Sequence, residues 1–274
     1  MISIKHVIIG LFAIHHISTG RLYFKLATAD EPAPEKKHRG GEDANYSEPL
    51  VIAVADGVGG WNRNGVDPSK YSRKLMVNIE QALSLDKETF VKDPKALAVF
   101  AGDNNDETGS ATLVIVSIDN EEGVLKSVNI GDSGYLILRM NAARQYEMVF
   151  RSQEMQHGFN FPFQIGTNGD DPRKGFPNKH DIHEGDIVIV GSDGLFDNVF
   201  DEQIISLINE ECQNGEIDIE IFTQRLLKIC YDLSLDSTYV SPFAANARSH
   251  GYSFTGGKSD DITIVVGQVL VADN

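Results

Sequence analysis

Val54-Ala-Asp-Gly-Val-Gly-Gly-Trp61 closes an apolar run, Leu50 to Ala55, with an acid, Asp56, and glycines follow at 57, 59 and 60. The pattern is that of a buried strand that stops at an open edge and delivers a carboxylate there. The glycines let the backbone turn sharply and come close to a ligand. An isolated Asp-Gly is most often only a turn, but here the arrangement recurs. Ile187-Val-Ile-Val-Gly-Ser-Asp193-Gly194 is a second apolar run ending in Asp-Gly, and Val128-Asn-Ile-Gly-Asp132-Ser a third ending in an acid. Ser259-Asp260-Asp261-Ile-Thr-Ile-Val-Val266 sets paired acids at the start of a fourth.

A chain of 274 residues is long enough to bury a substantial core. Its formal charge of −16 argues against nucleic acid as the main ligand, because phosphate backbones need basic patches. It also disfavours anionic membranes. Part of the acidity is a solubility device; part is carboxylates gathered at one site, which cations would have to compensate. The two cysteines, Cys212 and Cys230, form neither a zinc motif nor a redox pair and read as small core residues. Residues 1–20 hold a short apolar run, Val7 to Ile14, too short to span a bilayer stably. A signal-peptide core, a transit peptide and an extra buried strand all remain open readings of it. The following residues, 21–274, read as one domain.

Arg21 to Thr28 and Leu50 to Ala55 read as strands. Asp67-Pro68 starts a helix, with Pro at its first position, and Tyr71, Leu75, Ile79 and Leu83 continue its apolar stripe. A second helix begins at Asp93-Pro94 and ends by Gly102. Short runs at 111–118, 124–130, 135–139 and 146–150 predict an antiparallel meander. Residues 152–176 read as a long loop, 187–190 as a strand, 203–212 and 217–233 as helices, and 262–271 as a closing strand. The expected class is α+β: two antiparallel β-sheets packed as a sandwich, with helices on both outer faces.

Strand-end acids from distant parts of the chain can meet at one edge of such a sandwich. Asp56, Asp193, Asp260 and Glu42 then form a carboxylate cluster that repels itself and raises its own pKa values. Hard divalent cations resolve the conflict, since magnesium and manganese prefer carboxylate, carbonyl and water oxygens. Gly57, with no side chain, can turn its carbonyl inward as a further ligand. Two ions held close together lower the pKa of a shared water, and phosphate is the electrophile best suited to them.

Six motifs occur in order: Gly41-Glu-Asp43, Asp56-Gly-Val-Gly-Gly-Trp61, Gly109-Ser-Ala-Thr112, Gly131-Asp-Ser133, Asp193-Gly-Leu-Phe-Asp197-Asn198 and Lys258-Ser-Asp-Asp-Ile-Thr263. Together they resemble the metal-dependent type 2C protein serine/threonine phosphatases, from about Arg21 to the C-terminus. Phe161-Pro-Phe-Gln164, Tyr239-Val-Ser-Pro-Phe-Ala244 and the Gly256-Gly lead-in to Lys258 are similar to the mitochondrial branch of that family. The resemblance implies a hydrolase of phosphoserine and phosphothreonine in proteins, using two Mg2+ or Mn2+ ions and a third, weaker one. It implies a matrix location, with cytoplasmic and secretory locations left open.

By the same resemblance Asp56 bridges both metals, Gly57 lends a carbonyl, Glu42 serves the second metal, and Asp193 and Asp260 the first. Asp43 orients a water, and Asp132 belongs to the third metal, beside Asp197. Two departures stand out. Many relatives carry His directly after the Asp-Gly, where this chain has Val58, so a water on Asp132 becomes the expected proton source for the leaving alcohol. The phosphate-binding arginine has four competitors here, Lys36, Lys37, His38 and Arg39, of which Arg39 is the preferred one. Trp61 reads as a packing residue, Asp261 as paired with backbone, and His157 as a solvated loop residue. The rivals are a pseudophosphatase that keeps the fold and binds partners, favoured by Val58, and a carboxylate-metal nuclease, disfavoured by the charge. Oligomeric state and substrate identity leave no mark in the sequence.

Overall fold

The computed structural model describes residues 20–212 and 215–272. The three readings of residues 1–20 therefore fall, but for Gly20, outside the described residues. Ten strands form two five-stranded sheets in which every pair is antiparallel. One sheet runs, edge to edge, Leu22–Glu31, Ile262–Val271, Ile187–Gly191, Gly134–Met140, Tyr146–Arg151. The other runs Phe176–Asp181, Val124–Ile130, Leu113–Asp119, Val51–Asp56, Asp43–Glu48.

The strand Val51–Asp56 shows why the sheets stack. Successive side chains point to opposite faces, and here both faces are covered. Ile52 and Val54 pack between the sheets with Phe24, Val114, Val116, Val190 and Val265. Val51, Ala53 and Ala55 face the other way, against Leu75, Ile79, Leu97 and Ala101 of two helices. These are α1 (Pro68–Lys92) and α2 (Pro94–Asp103). A strand covered twice reads as an unbroken apolar run, as Val51 to Ala55 does.

Both helices start where the Asp-Pro pairs place them. The Asp67 carboxylate accepts from the Ser69 amide and the Asp93 carboxylate from the Ala96 amide, each meeting an otherwise orphaned donor of the first turn. The outer face of the first sheet is covered by α4 (Asp201–Glu211) and α5 (Ile219–Ser234), which bring Ile204, Ile208, Phe222 and Leu226 onto Leu136, Ile189 and Ile264. A four-residue helix, α3 (Asp193–Phe196), and a short helix, α6 (Pro242–Ser249), complete the set. The expected four-layer class is what the chain adopts.

The single meander expected over 111–150 is corrected. Leu113–Asp119 and Val124–Ile130 are a hairpin of one sheet, and Gly134–Met140 and Tyr146–Arg151 a hairpin of the other. Hydrophobic periodicity marks a strand but not the sheet it joins, so the change of layer left no trace in the pattern. The chain crosses between sheets at Gly131-Asp-Ser133, and this crossing places Asp132 at the sandwich edge. Three elements had no assignment from the sequence. Asp43–Glu48 and Phe176–Asp181 are edge strands without a fully buried residue, so they carry no apolar run. α6 begins at Ser241-Pro242, with the Ser241 hydroxyl accepting from the Ala244 amide, a start signal the sequence did contain. The segment 152–176 also holds short ladders, Gln156–Gly158 with Phe161–Pro162 and Ile165–Gly166 with Ser110–Ala111.

The crossing depends on Gly131. Its φ is +106°, and a Cβ there would stand 2.6 Å from Thr112 Cγ2 and 2.7 Å from the Phe163 carbonyl oxygen. A Gly131→Ala variant therefore carries both backbone strain and overpacking, and is expected to lose about 3 kcal/mol of stability, read as a lowered urea midpoint.

Candidate metal centre

Four chain segments deliver acids to one edge of the sandwich. Asp56 ends its strand opposite Asp43, which begins the neighbouring one. The Asp56 amide donates to Thr112 Oγ1 at 3.1 Å, and its carbonyl accepts from the Thr112 amide at 2.9 Å. Asp193 opens α3 directly after the strand Ile187–Gly191. Asp260 precedes the closing strand, and Asp132 lies at the sheet crossing. Glu42, Asp56, Gly57, Asp132, Asp193 and Asp260 all line one cleft of about 950 Å³.

Asp261 holds the loop that carries Glu42. Its carboxylate accepts from the Ala33 amide at 2.9 Å and from the Glu42 amide at 2.7 Å. The pairing with backbone was expected, but its partners lie more than two hundred residues away and tie the N-terminal loop to the last strand. Glu42 is fully buried. One oxygen accepts from Arg39 Nη2 and from Asn62 Nδ2, each at 2.6 Å, and the other pairs with Lys36 at 2.8 Å. Gly57 packs so tightly that a Cβ would meet the Glu42 carbonyl at 2.7 Å and the Pro68 carbonyl at 3.0 Å. No other residue fits between Asp56 and Val58.

The electrostatics are those of crowded acids. Burial, and then the charges of Asp43 and Asp193, push the Asp56 carboxyl well above its ordinary value. Burial and Asp261 do the same to Asp43, and burial and Asp193 to Asp132. Burial raises Asp197 to about 7 against the pull of Lys258. Asp260 moves the opposite way: although burial raises it, Lys258 and Lys36 hold it below the usual range. The two lysines are thus the local counter-charge. Lys36 Nζ lies 3.0 Å from Asp260 and 3.1 Å from Asp261. Lys258 Nζ contacts Asp193, stands 2.6 Å from Asp197 and 3.5 Å from Asp260.

Whether these residues suit a divalent cation is decided by their donors. Among the described residues no three His, Cys, Asp or Glu side chains close by themselves around one point. Magnesium-like ions keep several waters and take few protein ligands each. Asp132 Oδ1 and Asp193 Oδ1 are buried with no hydrogen-bond partner, and such orphaned acceptors are costly unless something fills them. The all-oxygen donor set fits a hard cation.

The structure places the other candidates less evenly. Arg39 is committed to Glu42 and to Asn62 Oδ1, at 2.8 Å, whereas Lys36 lines the cleft itself. Lys37 pairs with Glu31, and His38 Nδ1 lies 3.0 Å from the Glu35 carbonyl. Val58 lines the cleft and brings no polar side chain. Trp61 lines the cleft, with its Nε1 donating to Ser110 Oγ at 2.6 Å. His157 departs from the solvated-loop reading: it lines the cleft, stacks on Phe163 at 4.0 Å and pairs with Asp170. Lys258 and Asn198 had no assigned role beyond membership of the motifs, and Asn62 lies just outside them, directly after Trp61.

No family model matches the chain. It is 36% identical over 245 residues to probable protein phosphatase 2C 55 of Arabidopsis thaliana, covering 88% of this chain and 50% of that protein. It is 31% identical over 259 residues to protein phosphatase PTC7 homolog fig of Drosophila melanogaster, covering 88% of this chain and 81% of that protein. The X-ray structure of the photosystem II phosphatase PBCP superimposes with a TM-score of 0.81 at 32% identity, over 89% of this chain and 98% of that one. The chain belongs to the protein phosphatase 2C family. It spans about half the length of the first curated relatives it matches.

The raised carboxyls have a pH signature. A carboxyl whose folded pKa is raised binds its proton more tightly when folded, so it stabilises the fold less as pH climbs from its unfolded to its folded value. For Asp197 that window runs from 3.8 to about 7. In that window His180, lowered by burial, works in the opposite direction, whereas a depressed carboxyl such as Asp260 loses its contribution only at lower pH. In chelator, stability is therefore expected to rise as pH falls from 7 to 5, measured by urea unfolding, and an Asp197→Asn variant is expected to show a shallower rise.

Proposed function

We propose that this chain is a magnesium- or manganese-dependent protein serine/threonine phosphatase that uses two metal ions. One observation carries the reading: acids from four segments of the chain meet in a single cleft, with buried oxygens unpartnered at Asp132 and Asp193. Family membership supports the same chemistry. The ions would be held by Asp56, Glu42 and the Gly57 carbonyl on one side, and by Asp56, Asp193 and Asp260 on the other. Their contribution when bound is to neutralise phosphate oxygens and make water nucleophilic at neutral pH.

The chain's own residues do the rest. Asp43, buried behind Asp56, orients the attacking water. Arg39 and Asn62 fix Glu42 in place. Lys36 lines the cleft, as Arg63 and Lys258 do, and is proposed to meet the phosphate, with Arg39 proposed to position Glu42. Water attacks phosphorus, the bond to the seryl or threonyl oxygen breaks, and that oxygen takes up a proton. Val58 cannot give one. The free Asp132 Oδ1 is proposed to hold the water that does. Trp61, His157 and Phe161 line the same cleft, and Phe161 is 56% exposed, which supports a phosphoprotein substrate entering over an aromatic rim.

The likeness to the PTC7 homolog supports a mitochondrial matrix location. No described helix is long and apolar enough to cross a membrane. With manganese the protein is expected to release phosphate from a phosphothreonine peptide, and to stop in excess chelator. Asp193→Asn and Asp132→Ala are each expected to lower kcat about 100-fold. Inactive wild-type protein would favour the pseudophosphatase, the reading that Val58 supports, and steady turnover in Asp132→Ala would remove the proton-delivery role.

A further inference from the structure

Lys258 is held in a way that a solvent-facing lysine is not. Asn198 clamps its backbone at two points: the Lys258 amide donates to Asn198 Oδ1 at 2.8 Å, and Asn198 Nδ2 donates to the Lys258 carbonyl at 2.9 Å. Asn198 Nδ2 also donates to the Gly194 carbonyl at 2.9 Å. The lysine is thereby locked to the turn that carries Asp193 and Asp197. Those two acids are four residues apart, one helical turn, and so present their carboxylates on one face. The Lys258 ammonium sits between them, with the Phe243 ring 5.1 Å away. Its side chain is only 15% exposed. Three ion pairs, the third to Asp260 at 3.5 Å, an aromatic face and a fixed backbone surround a single positive charge.

By the family resemblance Asp132 and Asp197 belong to the position of a third cation, and the Lys258 ammonium stands 2.6 Å from Asp197. We propose that the Lys258 ammonium fills that position permanently, so that this chain takes up two metal ions and leaves no third site. The inference rests on the phosphatase reading above and goes beyond it. A divalent ion could enter only by expelling a nearly buried ammonium, which would leave that charge without its partners. With the position filled, Asp197 is left with a partner that needs no metal. Asp132 does not touch the ammonium and keeps its Oδ1 free, which lets it hold a water.

Metal stoichiometry tests this directly. The full chain is stripped with chelator, equilibrated with Mn2+ alone, and the bound metal counted by calorimetric titration and by elemental analysis after dialysis. Wild type is expected to saturate at two ions per chain. Lys258→Ala and Lys258→Met, the second keeping most of the aliphatic stem in case the first fails to fold, are expected to reach three. Lys258→Met/Asp197→Asn is expected to return to two. Three ions in wild type, or two in both folded lysine variants, would overturn the proposal. Wild type that binds no Mn2+ and releases no phosphate from a phosphopeptide would sink the phosphatase reading itself, a different result from either.

Discussion

Mutual repulsion among buried carboxylates is the constraint on which the rest of this structure depends. Asp43, Asp56 and Asp132 are brought together with Asp193 at one edge of the sandwich, and burial and like charge disfavour ionisation of the first three. A fold gains nothing from such an arrangement unless cations repay it. Two repayments are visible in the chain. Lys36 and Lys258 supply two positive charges among the acids, and the unpartnered oxygens of Asp132 and Asp193 leave room for more.

The sandwich makes the crowding possible because it fixes where strands stop. Val51–Asp56 is locked between the other sheet and α1–α2 on its two faces, so Asp56 cannot retreat along the strand without unburying Ile52 and Val54. Asp261 acts as a strut: by accepting from the Ala33 and Glu42 amides it ties the segment before the second strand to the segment before the last. The crossing at Gly131 then brings in Asp132 from a third direction. Rigid elements hold the acids, and the turn after Asp56 and the segment from His157 to Asp170 complete the lining of the cleft.

Much of this was legible in the residues. Val51 to Ala55 announced a strand buried on both faces, and its terminal acid announced an open edge. Asp67-Pro68 and Asp93-Pro94 marked two helix starts because capping is local chemistry. What escaped had physical reasons. The edge strands Asp43–Glu48 and Phe176–Asp181 bury little and so show no apolar run. The division of two hairpins between two sheets is a tertiary choice that periodicity does not encode. Lys258 was quoted only as part of a motif, since spacing along a chain does not tell where a long side chain ends. Arg39 bonds Glu42 and Lys36 lies among three carboxylates, contacts that spacing along the chain does not encode.

The central claim is that the acid cluster is a liability of the metal-free fold which cations turn into an asset. Thermal unfolding with and without saturating Mn2+, in wild type and in Asp56→Asn, tests it most directly. The account predicts that Mn2+ raises the wild-type Tm by an amount equivalent to about 2.7 kcal/mol at a hundred times Kd. It also predicts that Asp56→Asn melts above wild type in chelator and gains little from Mn2+. A wild-type Tm indifferent to Mn2+, together with an Asp56→Asn protein that melts below wild type in chelator, would contradict it.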